Sequence, residues 1–255
     1  MTGVQTCALP ISAGFARSSD NGRTWPAPAL GLLGGLSRHP VLQISLPQPP
    51  APHGDLGDAL PSAFVDKNAS NEFYLYIVYA GHPGTSVPSP LRVARAKLGA
   101  DPLTFLKWYN GAFTEPGIGG NDSPIVPVNA CGEHTMGEIS RNDDLGLYLM
   151  IIACTETTTP LAAAWYYSTA TSLDLEDWTA PQLIQNSEFP VTTPCSPSGT
   201  GQQFDGWYPS SMSPGAPAGH TKLTGRIFFH NGCDTGPRKF MSRIFTITAG
   251  AIIAR

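Results

Sequence analysis

Hydrophobic residues along this chain fall into short runs of aromatic and β-branched side chains, separated by turn-forming residues. The longest runs are FYLYIVY (Phe73–Tyr79), LYLMIIAC (Leu147–Cys154) and RIFFHN (Arg226–Asn231). Runs of this length and composition are typical of β-strands. The pattern therefore predicts a chain built from strands and turns.

Each long run belongs to a unit that repeats along the chain. A second strand-like run follows each of them, at 91–98, 163–170 and 240–247. Two of the units continue to a tryptophan, Trp108 or Trp178. A short segment with a serine precedes each long run, and these serines are Ser62, Ser140 and Ser210. Four strands per repeated unit predict an all-β fold of the β-propeller type, whereas a β-sandwich would explain the short strands but not the repeat.

The repeat divides the chain into one domain with blades over about 55–115, 124–185 and 204–250, after a partial blade over 12–50. The first eleven residues, MTGVQTCALPI, lack the basic start and apolar segment of a signal peptide. They are similar to the in-frame translation of a common sequencing adapter. We therefore expect residues 1–11 not to be native, the domain to cover 12–255, and the natural N-terminus to be missing.

Composition narrows the class of protein further. Of 255 residues, 41% are hydrophobic and 13% charged, and 27 Gly and 25 Pro favour turns over helices. The net charge is −4 with no basic block, which argues against a nucleic-acid partner. The longest apolar stretch, 145–154, is shorter than the ~20 residues of a membrane span. These features predict a soluble protein with no membrane partner, and we expect a monomer.

Four cysteines remain once Cys7 is set aside with the adapter-like segment: Cys131, Cys154, Cys195 and Cys233. An even number in a weakly charged chain suggests two disulfides and a secreted or periplasmic location. Three pairings are possible, and the repeat favours Cys131–Cys154 and Cys195–Cys233; buried free thiols are the alternative. No CxxC or His/Cys spacing predicts a zinc site.

A short motif lies near the start of the natural chain. FARSSDNGRTW (Phe15–Trp25) matches S-x-D-x-G-x-T-W and resembles the Asp-box of sialidases and related β-propellers. The matching residues are Ser18, Asp20, Gly22, Thr24 and Trp25. In this motif the polar side chains tie a hairpin turn to its own backbone, so Asp20 is predicted to be structural and not catalytic. SLDLEDW (Ser172–Trp178) is similar to a degenerate copy.

Three acidic residues occupy equivalent places in the repeat, shortly before the aligned serines. They are Asp58, Glu138 and Asp205. Innermost propeller strands direct their N-terminal residues at the central channel, so we expect these carboxyl groups to converge there. Glycoside cleavage needs a carboxylic acid of raised pKa to protonate the leaving oxygen and a carboxylate that activates water or attacks the sugar.

GDALPSAFVDKNASNEFYLYIVY (Gly57–Tyr79) resembles the D-P-x-x-F-x-D-x-x-x-Y-Y-L-Y-Y pattern of five-bladed propeller glycosidases, notably glycoside hydrolase family 43. The resemblance implies five blades, Glu138 as the general acid and Asp58 as the residue that tunes its pKa and orients it. It places the general base upstream of Ser12 and implies inversion, so this chain would show little activity. The chain departs from the family pattern in two places. Asp58 is followed by Ala-Leu-Pro and not directly by Pro, and the segment around Glu138, M-G-E-I-S, matches no motif of the family.

The remaining candidates concern substrate binding. Trp207 and Tyr208, beside Asp205, could stack on sugar rings, and Asp122 in a Gly-rich segment could line the mouth of the cavity. His134 and His230 could help hold a central ion. No cofactor is required by this chemistry, although a central Ca²⁺ is compatible with it.

Two alternative functions remain besides a hydrolase of this kind. One is a non-catalytic propeller that binds glycans or protein, and the other is a sialidase. A sialidase would need a cluster of inward-facing arginines. The candidates for that cluster are Arg92, Arg95, Arg141, Arg226 and Arg243.

Overall fold

The computed structural model describes residues 13–14, 40–42, 57–68, 70–82, 91–100, 104–117, 120–125, 133–155, 163–172, 177–187, 203–233, 239–248 and 251–255. All the regular secondary structure among these residues is β-strand, so the prediction of an all-β chain is confirmed. The described residues contain no helix of the length and hydrophobicity needed to cross a membrane.

The strands form three large sheets and one small strand pair. The pair joins β1 (Ala13–Gly14) to β2 (Pro40–Leu42). The first sheet runs in sequence order through β3 (Gly57–Lys67), β4 (Phe73–His82), β5 (Leu91–Lys97), β6 (Leu106–Tyr109) and β7 (Ala112–Pro116). Asn110 and Gly111, both with positive φ, make the two-residue turn between β6 and β7, as expected for an Asn-Gly hairpin.

The second and third sheets repeat this antiparallel meander. The second contains β8 (Glu133–Asn142), β9 (Leu147–Thr155), β10 (Ala163–Ala170) and β11 (Gln182–Leu183). The third contains β12 (Gln203–Met212), β14 (Thr224–Cys233), β15 (Lys239–Thr248) and β16 (Ala251–Ala254). A short strand, β13 (His220–Thr221), leaves the third unit and pairs in parallel with the end of β8.

The second sheet buries both of its faces, as a blade does between two neighbours. Tyr148, Met150 and Ile152 of β9 pack against the first sheet, while the alternate residues Leu149 and Ile151 pack against the third. A two-sheet sandwich would bury only one face of each sheet. The packing therefore favours successive blades, as the repeat predicted, and the number of blades in the complete ring stays a prediction.

Specific contacts fix the neighbouring sheets to each other. The Tyr148 hydroxyl donates a hydrogen bond of 2.7 Å to Asp66 of the first sheet. The fully buried Trp165 ring meets Phe229 of the third sheet edge-to-face, with centroids 5.0 Å apart. At Gly137, a Cβ atom would lie 2.6 Å from Leu91 Cδ1, so glycine permits the close approach of β8 to the first sheet. These contacts hold the second sheet between the first and the third.

Candidate functional site

The first strands of the sheets, β3, β8 and β12, form the meeting point of the molecule: β3 contacts β8, and β8 contacts β12. We call these the inner strands. Each has an irregularity in its pairing near its N-terminal end, between Ala59 and Ser62, between His134 and Met136, and between Asp205 and Ser210. β-Bulges re-aim side chains and are frequent next to active sites. Their recurrence at one level of three strands marks this end of the inner strands as the candidate site.

Glu138 lies just beyond the irregularity in β8 and is 8% exposed. Its carboxylate accepts a hydrogen bond from the backbone N–H of Ser211 on β12, so it bridges the second and third sheets. Burial raises the pKa of Glu138 from 4.5 to about 7, because the charged form loses its hydration, and hydrogen bonds from Ser211 and Ser210 oppose that rise. At neutral pH a substantial fraction of this carboxyl group is therefore protonated.

A row of hydroxyl groups lies next to Glu138, on the side of β8 that faces the third sheet. The Ser211 hydroxyl lies 3.5 Å from that of Ser140, which in turn lies 3.2 Å from the hydroxyl of Thr221 on β13. Ser140 and Thr221 are both buried. Ser210, the β12 serine of the repeat, also hydrogen-bonds to Glu138 through its side chain, a contact that alignment of the units did not predict.

Only the backbone of three other predicted site residues is described. Asp58 pairs with Gly81 at the start of β3, at the corresponding end of an inner strand. Asp205 pairs with Asn231 and Trp207 with His230 on the third sheet. The side chains of Asp58, Asp205 and Trp207 lie outside the described residues, so their convergence with Glu138 stays a prediction.

Tyr208 has an unusual backbone in the irregular part of β12. Its φ is +55°, a left-handed conformation that is rare for a bulky residue, and Gly206 has φ +74°. The Gly206 carbonyl accepts a 2.8 Å hydrogen bond from the Trp165 indole N–H, which anchors this segment to the second sheet. The Tyr208 ring is 49% exposed and meets the His230 ring edge-to-face at 6.2 Å. Strained residues of this kind cluster at binding sites.

Asp122 lies in a compact charged cluster in the first sheet. Its carboxylate is 2.5 Å from Arg92 Nε and 3.6 Å from Lys107 Nζ, and it accepts a 3.0 Å hydrogen bond from the Tyr79 hydroxyl. Lys107 is fully buried and donates to the Gly120 carbonyl. Sequence reasoning missed Lys107 and Tyr79; the signal was a lysine inside the apolar strand LKWY. The predicted role of Asp122 at the cavity mouth stays a prediction.

The Asp-box-like motif near the start of the chain lies outside the described residues. Its residues are Ser18, Asp20, Gly22, Thr24 and Trp25. Part of its degenerate copy is described. Asp177 accepts hydrogen bonds from the backbone N–H and the hydroxyl of Thr171, and Trp178 is buried in the core between the first and second sheets. A carboxylate therefore ties this turn to its backbone.

The structure describes only some of the residues on which the predictions of disulfides and of a bound metal ion depend. Cys154 is buried. Cys131, Cys195 and the side chain of Cys233 lie outside the described residues, so the two disulfides and their pairing stay predictions. Within the described part of the chain, no group of three or more His, Cys, Asp or Glu side chains could hold a metal ion.

The arginines proposed for a sialidase-type cluster are spread over three sheets. Arg92 pairs with Asp122, and Arg95 lies over the Phe113 ring at 4.1 Å. The other three have partners in the second or third sheet: Arg141 donates to Tyr148, Arg226 to Ser242 and Arg243 to the Asn186 carbonyl. Each of the five therefore has a local partner, and their convergence on one anion-binding site stays a prediction.

Comparison with known proteins adds a distant structural likeness. No protein-family model matches the chain, and neither does any curated protein. Among solved structures, the chain is similar to the catalytic domain of the Coprinopsis cinerea GH62 alpha-L-arabinofuranosidase. The sequence identity is 14%, the match covers 79% of this chain and 77% of that chain, and the TM-score is 0.36. A likeness of this strength identifies no functional residue.

Proposed function

We propose that this chain is a propeller of the glycoside hydrolase type that cleaves a glycosidic bond with Glu138 as proton donor. The observation that carries the proposal is the place of Glu138: a buried carboxyl group on an inner strand, between two bulged inner strands, with its pKa raised to about 7. A general acid must hold its proton near neutral pH, and burial is the usual means of raising a carboxyl pKa.

The other parts of the mechanism rest on the family resemblance and on backbone position. Asp58 begins the neighbouring inner strand and is proposed to orient Glu138 and tune its pKa. Asp205, Trp207, Tyr208 and Asp122 are proposed to bind the sugar, with the exposed Tyr208 ring as a stacking surface. The two disulfides predicted from the cysteine count would suit a secreted or periplasmic location, and the proposed mechanism needs no metal.

The test is hydrolysis of 4-methylumbelliferyl glycosides of common pentoses and hexoses, with and without azide. The family resemblance assigns no base carboxylate among residues 12–255, so azide is included as an external nucleophile. Azide replaces the activated water: it attacks the anomeric carbon, the glycosidic C–O bond breaks, and Glu138 protonates the departing oxygen. We expect azide to raise the rate and to give a glycosyl azide.

Glu138→Gln provides the matched control, because it preserves shape while removing the proton donor. We expect it to lower the azide-assisted rate on 4-methylumbelliferyl substrates about 10²-fold or more. The effect should be far smaller on 2,4-dinitrophenyl glycosides, whose leaving group needs no protonation. Equal rates for wild type and Glu138→Gln on both substrate classes would overturn the assignment.

A glycan-binding propeller without catalysis is the second candidate. The Ser211 N–H bond to Glu138 favours it, because this contact would make Glu138 a clamp between two sheets. Binding of a sugar without turnover, in wild type and Glu138→Gln alike and with azide present, would support this candidate against the hydrolase.

A further inference from the structure

A cavity of about 530 Å³ lies between the second and third sheets, away from the candidate site. Its lining includes Asn142 and Leu147, which pair with each other at the end of β8 and β9, whereas Glu138 pairs with Ile151 further along. The four residues from Glu138 to Asn142 correspond to roughly 13 Å of strand. The volume falls within the roughly 300–1,000 Å³ typical of small-molecule sites.

The walls of the cavity are largely aliphatic and come from both sheets, with Thr169, Thr179 and Thr248 also among the lining residues. The second sheet contributes Leu147 and Leu149, and the third contributes Leu223, Ile247 and Ile252. Leu149 and Ile252 are each only 2% exposed and form its deep part, while Leu223 at the rim is 39% exposed. Among the described residues that line it, none is charged. A charged ligand would lose its hydration there without a counter-charge, so the walls select a neutral one.

One polar group at the cavity wall could recognise a ligand. The Tyr167 hydroxyl and the Gln182 side-chain oxygen are hydrogen-bonded at 2.7 Å, and both residues line the cavity. Within the described part of the chain, this bond uses one end of the Gln182 amide and leaves the other to a ligand. A ligand hydroxyl suits that position because it can donate or accept. The polar atoms of Asn142, by contrast, are bonded to Leu145, Thr221 and Lys222.

We propose that this cavity binds a neutral, largely apolar small molecule with one hydroxyl group, of the phenol or alicyclic alcohol class. The apolar body fills the space between the aliphatic walls of the two sheets. The hydroxyl bonds to the Gln182 amide beside Tyr167. The site is independent of Glu138 and holds whether or not the chain is a hydrolase.

The test is isothermal titration calorimetry with 4-tert-butylphenol as the probe. For a molecule of this size we expect a Kd of about 0.1–1 mM. Two analogues isolate the features of the site: tert-butylbenzene lacks the hydroxyl, and 4-tert-butylbenzoate carries a charge on the same apolar body. Tert-butylbenzene should bind several-fold more weakly, and the benzoate at least about tenfold more weakly, because it would bring an uncompensated charge into the cavity.

A filling substitution locates the binding. Ile247→Trp should weaken 4-tert-butylphenol binding at least about tenfold by occupying the cavity, and Val65→Trp on the exposed side of β3 should leave it unchanged. If Ile247→Trp fails to fold, Thr248→Trp at the same wall replaces it. No binding of the phenol, equal binding of the benzoate, or undiminished binding by the filled variant would overturn the proposal.

Discussion

Glu138 is a side chain whose charged form is destabilised by its surroundings. Its environment is buried, and the main favourable contacts available to the carboxylate are the Ser211 N–H and the neighbouring hydroxyl groups. These donors do not compensate fully for lost hydration, so the folded-state pKa stays near 7. The same property that suits a proton donor therefore reduces the stability of the fold at alkaline pH.

Glu138 should make the folded chain less stable as the pH rises. The folded state holds the proton up to about pH 7, whereas the unfolded state releases it near pH 4.5. The free energy of unfolding should therefore fall as pH rises from about 4.5 to about 7, by about 3 kcal/mol. Urea unfolding of wild type and Glu138→Gln between pH 4.5 and 8 measures this.

Glu138→Gln should lack that fall and be the more stable protein at pH 8. The control is Glu72→Gln, which removes an exposed carboxylate paired with Lys97 and should retain the wild-type decline. A decline of equal size in Glu138→Gln would show that other groups cause it.

The Asp122 cluster gives a second prediction at the residue scale. Asp122→Asn removes the carboxylate between Arg92 and the fully buried Lys107. Because removing one partner of a buried ion pair leaves an uncompensated charge, we expect a loss of about 3 kcal/mol in unfolding free energy at pH 7. Thermal and urea unfolding measure it. Glu72→Gln, which breaks an exposed pair, should change little, and equal effects of the two variants would contradict a buried cluster.

Among the strands, β14 is held closely between β12 and β15, and Gly225 permits that contact. A Cβ at position 225 would lie 2.6 Å from the Phe245 ring and would collide with the Met212 carbonyl. Gly225→Ala should therefore lower the free energy of unfolding by about 1–3 kcal/mol. Gly99→Ala is the control: it meets no atom within 4 Å but has φ +89°, so it reports backbone strain alone. A smaller loss at Gly225 than at Gly99 would contradict the close packing.

Much of the strand pattern, but not the local irregularity, could be predicted from the sequence. The runs beginning at Phe73 and Leu147 became central strands because their aromatic and β-branched residues are buried on both faces. The bulges of the inner strands were not predictable, since register depends on which strand lies opposite. The left-handed Tyr208 and the Ser211–Glu138 contact likewise arise from tertiary packing between distant segments.

The sheets of the whole molecule are coupled through their facing side chains. Trp165 joins the second sheet to the third by its ring contact with Phe229 and its hydrogen bond to Gly206, which supports the strained segment before Tyr208. Trp165→Phe should lower the free energy of unfolding by about 2–4 kcal/mol, because it loses that hydrogen bond and leaves a cavity.

Urea unfolding and the NMR resonances of Gly206 and Tyr208 report the effect of Trp165→Phe on stability and on the strained segment. Phe240→Leu on the outer side of the third sheet is the control. Phe240 is 78% exposed, so its replacement should have an effect within about 0.5 kcal/mol. Unshifted Gly206 and Tyr208 resonances in Trp165→Phe would contradict the coupling between the sheets.

Burial where the inner strands meet should keep Glu138 partly protonated at neutral pH. A ¹³C NMR titration of the glutamate side-chain carboxyl groups measures this protonation, with Glu138→Gln identifying the resonance. The structure predicts a Glu138 pKa of about 7. A titration at or below its ordinary value of 4.5 would contradict the burial of this carboxyl group and the proton-donor role built on it.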